Sequence, residues 1–163
     1  MKTTIHVVLS SDDNYAYPLA VTIMSVLCNR TDGDELLFHV LDGGISEANR
    51  RRISDMVEVK KASIEFILVS AEQFSGVCLH ITKENHVSLA TYYRLLIPSL
   101  VYADRCIYMD CDMICRSSLA SLWNTQLNGD LAAAVKDIDE DKQSARLGLK
   151  RYFNAGLFLM DLE

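Results

Sequence analysis

Apolar residues dominate residues 4 to 9 and give way to Ser10-Ser11-Asp12-Asp13-Asn14, the pattern of a buried strand that runs into a polar loop. From Tyr17 to Cys28 the period changes. Leu19, Ile23, Val26 and Leu27 recur at helical spacing, and Pro18 is tolerated in the first turn. Leu36 to Leu41 predicts a second strand, broken by Asp42-Gly43-Gly44. Ser46 then offers an N-cap and Glu47 a first-turn acid for a helix to about Lys60, with Ile53, Met56 and Val57 facing inward. Ile64 to Val69 predicts a third strand. The stretch from Glu72 to His86 is irregular and reads as loop with a short helix. Ser88 to Leu96 reads as helix stopped by Pro98, and Arg105 to Met109 as a strand that ends in Asp110-Cys111-Asp112. A short helix near Leu119 to Trp123 and strands at Leu131 to Val135 and Phe153 to Met160 complete the chain.

Strand alternating with helix is the signature of an α/β fold, a Rossmann-like, mostly parallel sheet with helices on both faces. Ligands of such sheets bind beyond the carboxyl ends of the strands. The two acidic loops, after the first strand and after Met109, therefore fall where chemistry is expected.

At 163 residues the chain has the size of one domain, and half of its residues are hydrophobic, enough for a sizeable core. Its 22 acidic against 16 basic residues give a net charge of -6, which argues against a nucleic-acid-binding surface. An anionic ligand would need a cation, a helix N-terminus or a placed Arg. The apolar run at the start is too short for a signal peptide, and no stretch approaches the roughly 18 apolar residues of a membrane span. Cys28, Cys78, Cys106, Cys111 and Cys115 are odd in number and form no CxxC pair, so reduced thiols and a cytoplasmic setting are the simplest account.

In an extended backbone, Asp110 and Asp112 would point to one side and Cys111 to the other, so the two carboxylates could share a ligand. Two negative charges at the tip of an apolar strand favour a neutralising cation, and hard oxygen ligands suit Mn²⁺ or Mg²⁺. A solvent-exposed acidic turn fits the same motif equally well. Asp12 and Asn14 could bond to ribose or a base; the competing reading is an Asx turn with Asn14 or Asp13 capping the next helix. Arg94 could hold phosphate or a carboxylate in a bidentate contact, or be a surface ion pair. Asn154-Ala155-Gly156 places an amide beside small residues that a ligand could approach, or forms a packed turn. Asp137 sits at another strand end. His6 and His39 read as core or edge histidines; His80 and His86 carry no assignment.

Several segments, in order, resemble glycosyltransferase family 8: Ser11-Asp12-Asp13-Asn14-Tyr15, Phe38-His39-Val40-Leu41-Asp42, Gly44-Ile45-Ser46-Glu47-Ala48-Asn49, Thr91-Tyr92-Tyr93-Arg94-Leu95, Tyr108-Met109-Asp110-Cys111-Asp112 and Tyr152-Phe153-Asn154-Ala155-Gly156. The similarity is strongest to the bacterial lipopolysaccharide α-galactosyltransferases and glucosyltransferases. It implies a GT-A type fold and transfer of galactose or glucose, with retention, from UDP-galactose or UDP-glucose to a saccharide hydroxyl such as that of a lipopolysaccharide core sugar. The resemblance implies that Ser10 and Asp12, with Asn14 beside them, meet the uracil and ribose. Arg94 would contact the donor sugar or order the site, Asp110 and Asp112 would bind Mn²⁺, and Asp137, Asn154 and Ala155 would face the donor sugar.

The family's third metal ligand, a His, and a Gln near the anomeric carbon lie downstream of residue 163. Residues 1–163 therefore read as a nucleotide-sugar-binding domain without its acceptor-side part, cut short at the C-terminus. Membrane contact in the family's bacterial enzymes comes from a basic, aromatic C-terminal tail that this sequence lacks. Two alternatives stand beside the transferase: a UDP-sugar-binding fragment with little turnover, and a haloacid-dehalogenase-type phosphatase, whose nucleophile loop is also an apolar strand followed by Asp-x-Asp.

Overall fold

The computed structural model describes residues 4–75 and 89–163. Its sheet has six strands: β1 (Thr4–Ser11), β2 (Glu35–Asp42), β3 (Ser63–Leu68), β4 (Arg105–Met109), β5 (Ala132–Lys136) and β6 (Phe153–Asp161). Helices α1 (Ala16–Asn29), α2 (Glu47–Val59), α3 (Ile97–Leu100), α4 (Ala120–Trp123) and α5 (Glu140–Leu147) are joined by 3-10 turns at Asp13–Tyr15, Ala71–Phe74 and Leu89–Leu96.

The strand order is β3-β2-β1-β4-β6-β5. β1, β2, β3 and β4 run parallel, whereas β6 is antiparallel to both β4 and β5. From β1 the chain winds outward through β2 to β3, then returns to lay β4 on the other side of β1. The winding therefore reverses between β1 and β4, and the connections on either side of that gap leave in opposite directions. Such a switch point opens a crevice at the carboxyl ends of the two strands.

Strand alternation divides the core between the two faces of the sheet. Ile5, Val7 and Leu9 pack with Leu19, Ile23, Val26, Ile53, Val57 and Trp123 on the side of α1, α2 and α4. Val8, Leu41, Cys106, Tyr108 and Phe158 pack with Tyr93, Ile97 and Val101 on the other. Helices thus cover both faces, as the alternating pattern predicts.

Several local expectations need correction. Residues 89–96 form a 3-10 helix, and Ser88 lies outside the described residues. Pro98 does not stop a helix; it enters the first turn of α3, where its missing N–H costs nothing. The strand ends at Met109, so Asp110, Cys111 and Asp112 lie in a turn and strand alternation does not orient them. Neither Asn14 nor Asp13 caps the next helix: Asp12 caps the 3-10 turn, with Oδ1 accepting from the backbone N of Asn14 at 3.0 Å and of Tyr15 at 3.2 Å. Of the irregular middle, Ala71–Phe74 is a short 3-10 helix; His80, His86 and Cys78 lie outside the described residues.

Candidate functional site

A cleft opens at the switch point, lined by Ser10 from the tip of β1, Asp12 and Tyr15 from the loop after it, Thr91 and Arg94 from the 3-10 helix, and Asp110, Cys111 and Asp112. Two strand tips and one helix thus meet there. Its volume is about 180 Å³. Sites for drug-sized ligands run to roughly 300–1,000 Å³, so a larger ligand would extend along the open side of this cleft.

Asp110 is the hub. Its Oδ1 accepts from Nη2 of Arg94 at 2.7 Å and from the Tyr108 hydroxyl at 2.8 Å. The backbone N of Asp110 donates to the Gly156 carbonyl at 2.8 Å, which ties the turn to β6. Gly156 has no Cβ for a reason: one built there would lie 3.0 Å from both Oδ2 of Asp110 and Oδ1 of Asn154. Arg94 also donates through Nη1 to the Ala155 carbonyl and through Nε to the Thr91 carbonyl, and its guanidinium lies 4.6 Å from the centre of the Tyr108 ring. With 15% of its side chain exposed, Arg94 is not the surface ion pair that its sequence context also allowed.

Asp112 is exposed and has no hydrogen bond or ion pair among the described residues. Burial, followed by the nearby charge of Asp112, pushes the Cys111 thiol up to about 11. It stays protonated at neutral pH and offers no thiolate. The donors in this turn are hard carboxylate oxygens.

The first loop is rigidly held. Asp13 Oδ1 accepts from the Ser46 backbone N and from Asn49 Nδ2, both at 2.8 Å, fastening the loop to the start of α2. The Ser46 backbone bond leads in holding its carboxyl below the usual range. Behind the loop, the buried Asp42 turns the chain after β2: Oδ1 accepts from Gly44 N at 2.8 Å and Ile45 N at 2.6 Å, and Oδ2 faces Arg50 Nε at 2.8 Å. A Cβ at Gly43 would meet the Tyr93 hydroxyl at 2.6 Å, so only glycine lets that ring pack beneath the loop.

The sequence candidates separate into a central group and a flank. Ser10, Asp12, Arg94, Asp110 and Asp112 converge on the cleft. Asn154 and Ala155 adjoin it on β6, and Asn154 Nδ2 reaches Asp137 Oδ2 at 3.4 Å. Asn14 is exposed beside the first loop. Sequence reasoning missed Tyr15 and Tyr108. Tyr15, nearly half exposed, adds an aromatic surface to the cleft; Tyr108, two residues before Asp110, reads as core in an apolar strand, which hides its hydroxyl.

A model of glycosyl transferase family 8 matches residues 6–163. The chain belongs to glycosyl transferase family 8. It is 30% identical to General stress protein A of Bacillus subtilis (strain 168), with 97% of this chain and 56% of that protein covered. With the lipopolysaccharide 1,2-glucosyltransferase of Escherichia coli (strain K12) it shares 28% identity, covering 98% of this chain and 48% of the relative. Among solved structures it superposes on the galactosyltransferase LgtC, in complex with donor and acceptor sugar analogs, with TM-score 0.86 and 36% identity over 97% of this chain and 58% of LgtC. The fold is of the GT-A type. The family 8 chain spans about half the length of the curated relatives it matches. Membership of this family replaces the phosphatase reading of Asp110-Cys111-Asp112.

Proposed function

We propose that residues 1–163 form the donor-binding part of a retaining hexosyltransferase, which moves galactose or glucose from a UDP-sugar to a saccharide hydroxyl such as that of a lipopolysaccharide core sugar. One observation carries the reading: Arg94, Asp110, Asp112 and the first loop converge at the switch point between β1 and β4, where open α/β sheets bind nucleotides. The names of two relatives, a galactosyltransferase and a lipopolysaccharide glucosyltransferase, support the substrate class.

The turn fits a hard divalent cation. Asp110 spends Oδ1 on Arg94 and Tyr108, which leaves Oδ2, and Asp112 is uncommitted among the described residues. No group of three or more potential ligands occurs among the described residues, so Asp110 and Asp112 would hold Mn²⁺ or Mg²⁺ jointly with diphosphate oxygens and water. When bound, the cation supplies Lewis-acid stabilisation of the charge that gathers on the departing diphosphate. Arg94 lends a fixed positive charge beside it. Ser10, Asp12 and Asn14 are assigned to the uracil and ribose, and Asp137, Asn154 and Ala155 to the donor sugar. Among the described carboxylates of the cleft, Asp12 caps a turn and Asp110 and Asp112 are assigned to the cation, so none is assigned as a nucleophile at the anomeric carbon. Retention then follows from front-face attack, with the leaving phosphate as base.

Free thiols at Cys28, Cys106, Cys111 and Cys115 support a reducing, cytoplasmic setting, and no helix among the described residues is long and apolar enough to cross a membrane. Peripheral attachment at the inner membrane face belongs to the same reading.

Calorimetry of UDP with and without Mn²⁺ tests the donor site. Asp112→Asn should reduce the manganese-dependent gain in UDP affinity by at least about 10-fold, since losing a ligand outweighs losing its outer-shell partner. Unchanged affinity would sink the assignment. Thermal-shift screening of UDP-galactose, UDP-glucose and UDP-N-acetylglucosamine then reports donor choice, and donor hydrolysis separates turnover from binding alone.

A further inference from the structure

Tyr108 is completely buried, and its neighbours are mostly apolar: Phe158 stacks on it at 5.0 Å between ring centres, and Val8, Cys106 and Ile97 share its cluster. Phenylalanine would pack there equally well. A buried hydroxyl is costly unless bonded, and this one has two partners. It lies 3.0 Å from Oγ of Ser10, on the tip of β1, and donates to Oδ1 of Asp110, past the end of β4, at 2.8 Å. Since a carboxylate only accepts, the phenol proton points to Asp110 and the Ser10 hydroxyl donates to the phenol oxygen. The result is a one-way chain from Ser10 through Tyr108 to Asp110, spanning the switch-point crevice.

The chain terminates on the same oxygen that Arg94 grips. Two donors at known positions on one carboxylate oxygen fix the carboxylate's rotation, and Oδ2 is then turned toward the space that Gly156 keeps clear by lacking a Cβ. Neither donor reaches Oδ2 or Asp112.

We infer that the Tyr108 hydroxyl is a positioning residue for the cation site: with Arg94 it locks Asp110 so that Oδ2 presents to the metal, and through Ser10 it links that orientation to the nucleoside side of the cleft. The inference rests on the reading of Asp110 and Asp112 as the metal pair. Outer-shell partners of metal ligands typically contribute 10–100-fold to metal affinity, and a hydroxyl that merely satisfied itself in the core would contribute nothing there.

The test compares UDP binding in EDTA and in Mn²⁺ for the 163-residue protein, Tyr108→Phe and Asp112→Asn, with circular dichroism confirming the fold. Tyr108→Phe should shrink the manganese-dependent gain, read as the ratio of UDP affinity in Mn²⁺ to that in EDTA for the same variant, by about 10-fold or more. A gain within twofold of the unsubstituted protein, alongside its loss in Asp112→Asn, overturns the positioning role while the metal reading stands. If the unsubstituted protein shows no manganese-dependent gain, the metal reading falls and this inference with it. Should Tyr108→Phe misfold, Arg94→Met removes the other donor to Oδ1: a retained manganese-dependent gain overturns the locking mechanism, and a reduced one supports it.

Discussion

The two flanks of the sheet differ sharply. Along β1, Val7, Val8 and Leu9 are fully buried, and β2 is buried from Phe38 to Asp42. On β5 every residue but Ala133 is exposed, and Leu131, Val135, Ile138 and Phe153 present apolar side chains to solvent around it. β1 and β2 each lie between two strands of the sheet, whereas β5, like β3 at the opposite edge, has one neighbouring strand and no buried residue. Folding free energy is therefore concentrated on β1, β2 and β4, while the site draws on both flanks. Asp110 sits at the seam, held by Tyr108 and Arg94 and bonded through its backbone to β6.

The largest effect that would sharpen this contrast is a cavity on the buried flank. Leu9→Ala should cost about 2–5 kcal/mol in urea unfolding, the range for truncating a fully buried leucine. A cost under about 1 kcal/mol would mean that β1 is not the centre of the core.

A smaller effect tests the polar part of that flank. His6 Nδ1 lies 2.8 Å from His39 Nε2, and His39 Nδ1 lies 2.6 Å from Glu65 Oε1. The carboxylate only accepts, so His39 donates to it from Nδ1 and, with one ring proton, accepts at Nε2 from His6. Burial, and next the neighbouring His39, lower the His6 pKa below 6.5, with Asp104 and Glu65 opposing. A lowered value means that the unfolded chain takes up this proton first. The contribution is intact above pH 6.5 and is lost as pH falls toward the folded value, with a slope of at most about 1.4 kcal/mol per pH unit for one proton. His6→Gln should flatten the stability profile in that window; an unchanged slope would remove His6 as its source.

Most of the fold was legible in the sequence where the signal is local. Ser46 caps α2 through its own Oγ, which accepts from Asn49 N at 3.4 Å, and β4 has the bounds Arg105–Met109 that its apolar run predicts. Strand direction was not legible for β6, because polarity is fixed by where the chain re-enters the sheet and not by its apolar residues. The site was legible as residue types but not as connections. Arg94 finds Asp110 from 16 residues away because a 3-10 helix projects it across the crevice, and no period in the sequence encodes that meeting. Tyr108 was hidden for the opposite reason: within an apolar strand its ring explains its presence and its hydroxyl goes unnoticed.

The smallest effect is expected at the exposed edge. Val135 is 60% exposed on β5, the last strand of the sheet, so Val135→Thr keeps the β-branched shape and removes little buried apolar surface. Its cost in urea unfolding should fall within about 0.5 kcal/mol, as for surface positions generally. Because an edge strand with apolar side chains is prone to pair with other chains, the same substitution should lower self-association in sedimentation experiments. A cost comparable to that of Leu9→Ala would break the comparison outright, since it would require Val135 to be covered in solution by packing that makes the β5 flank as much a part of the core as β1.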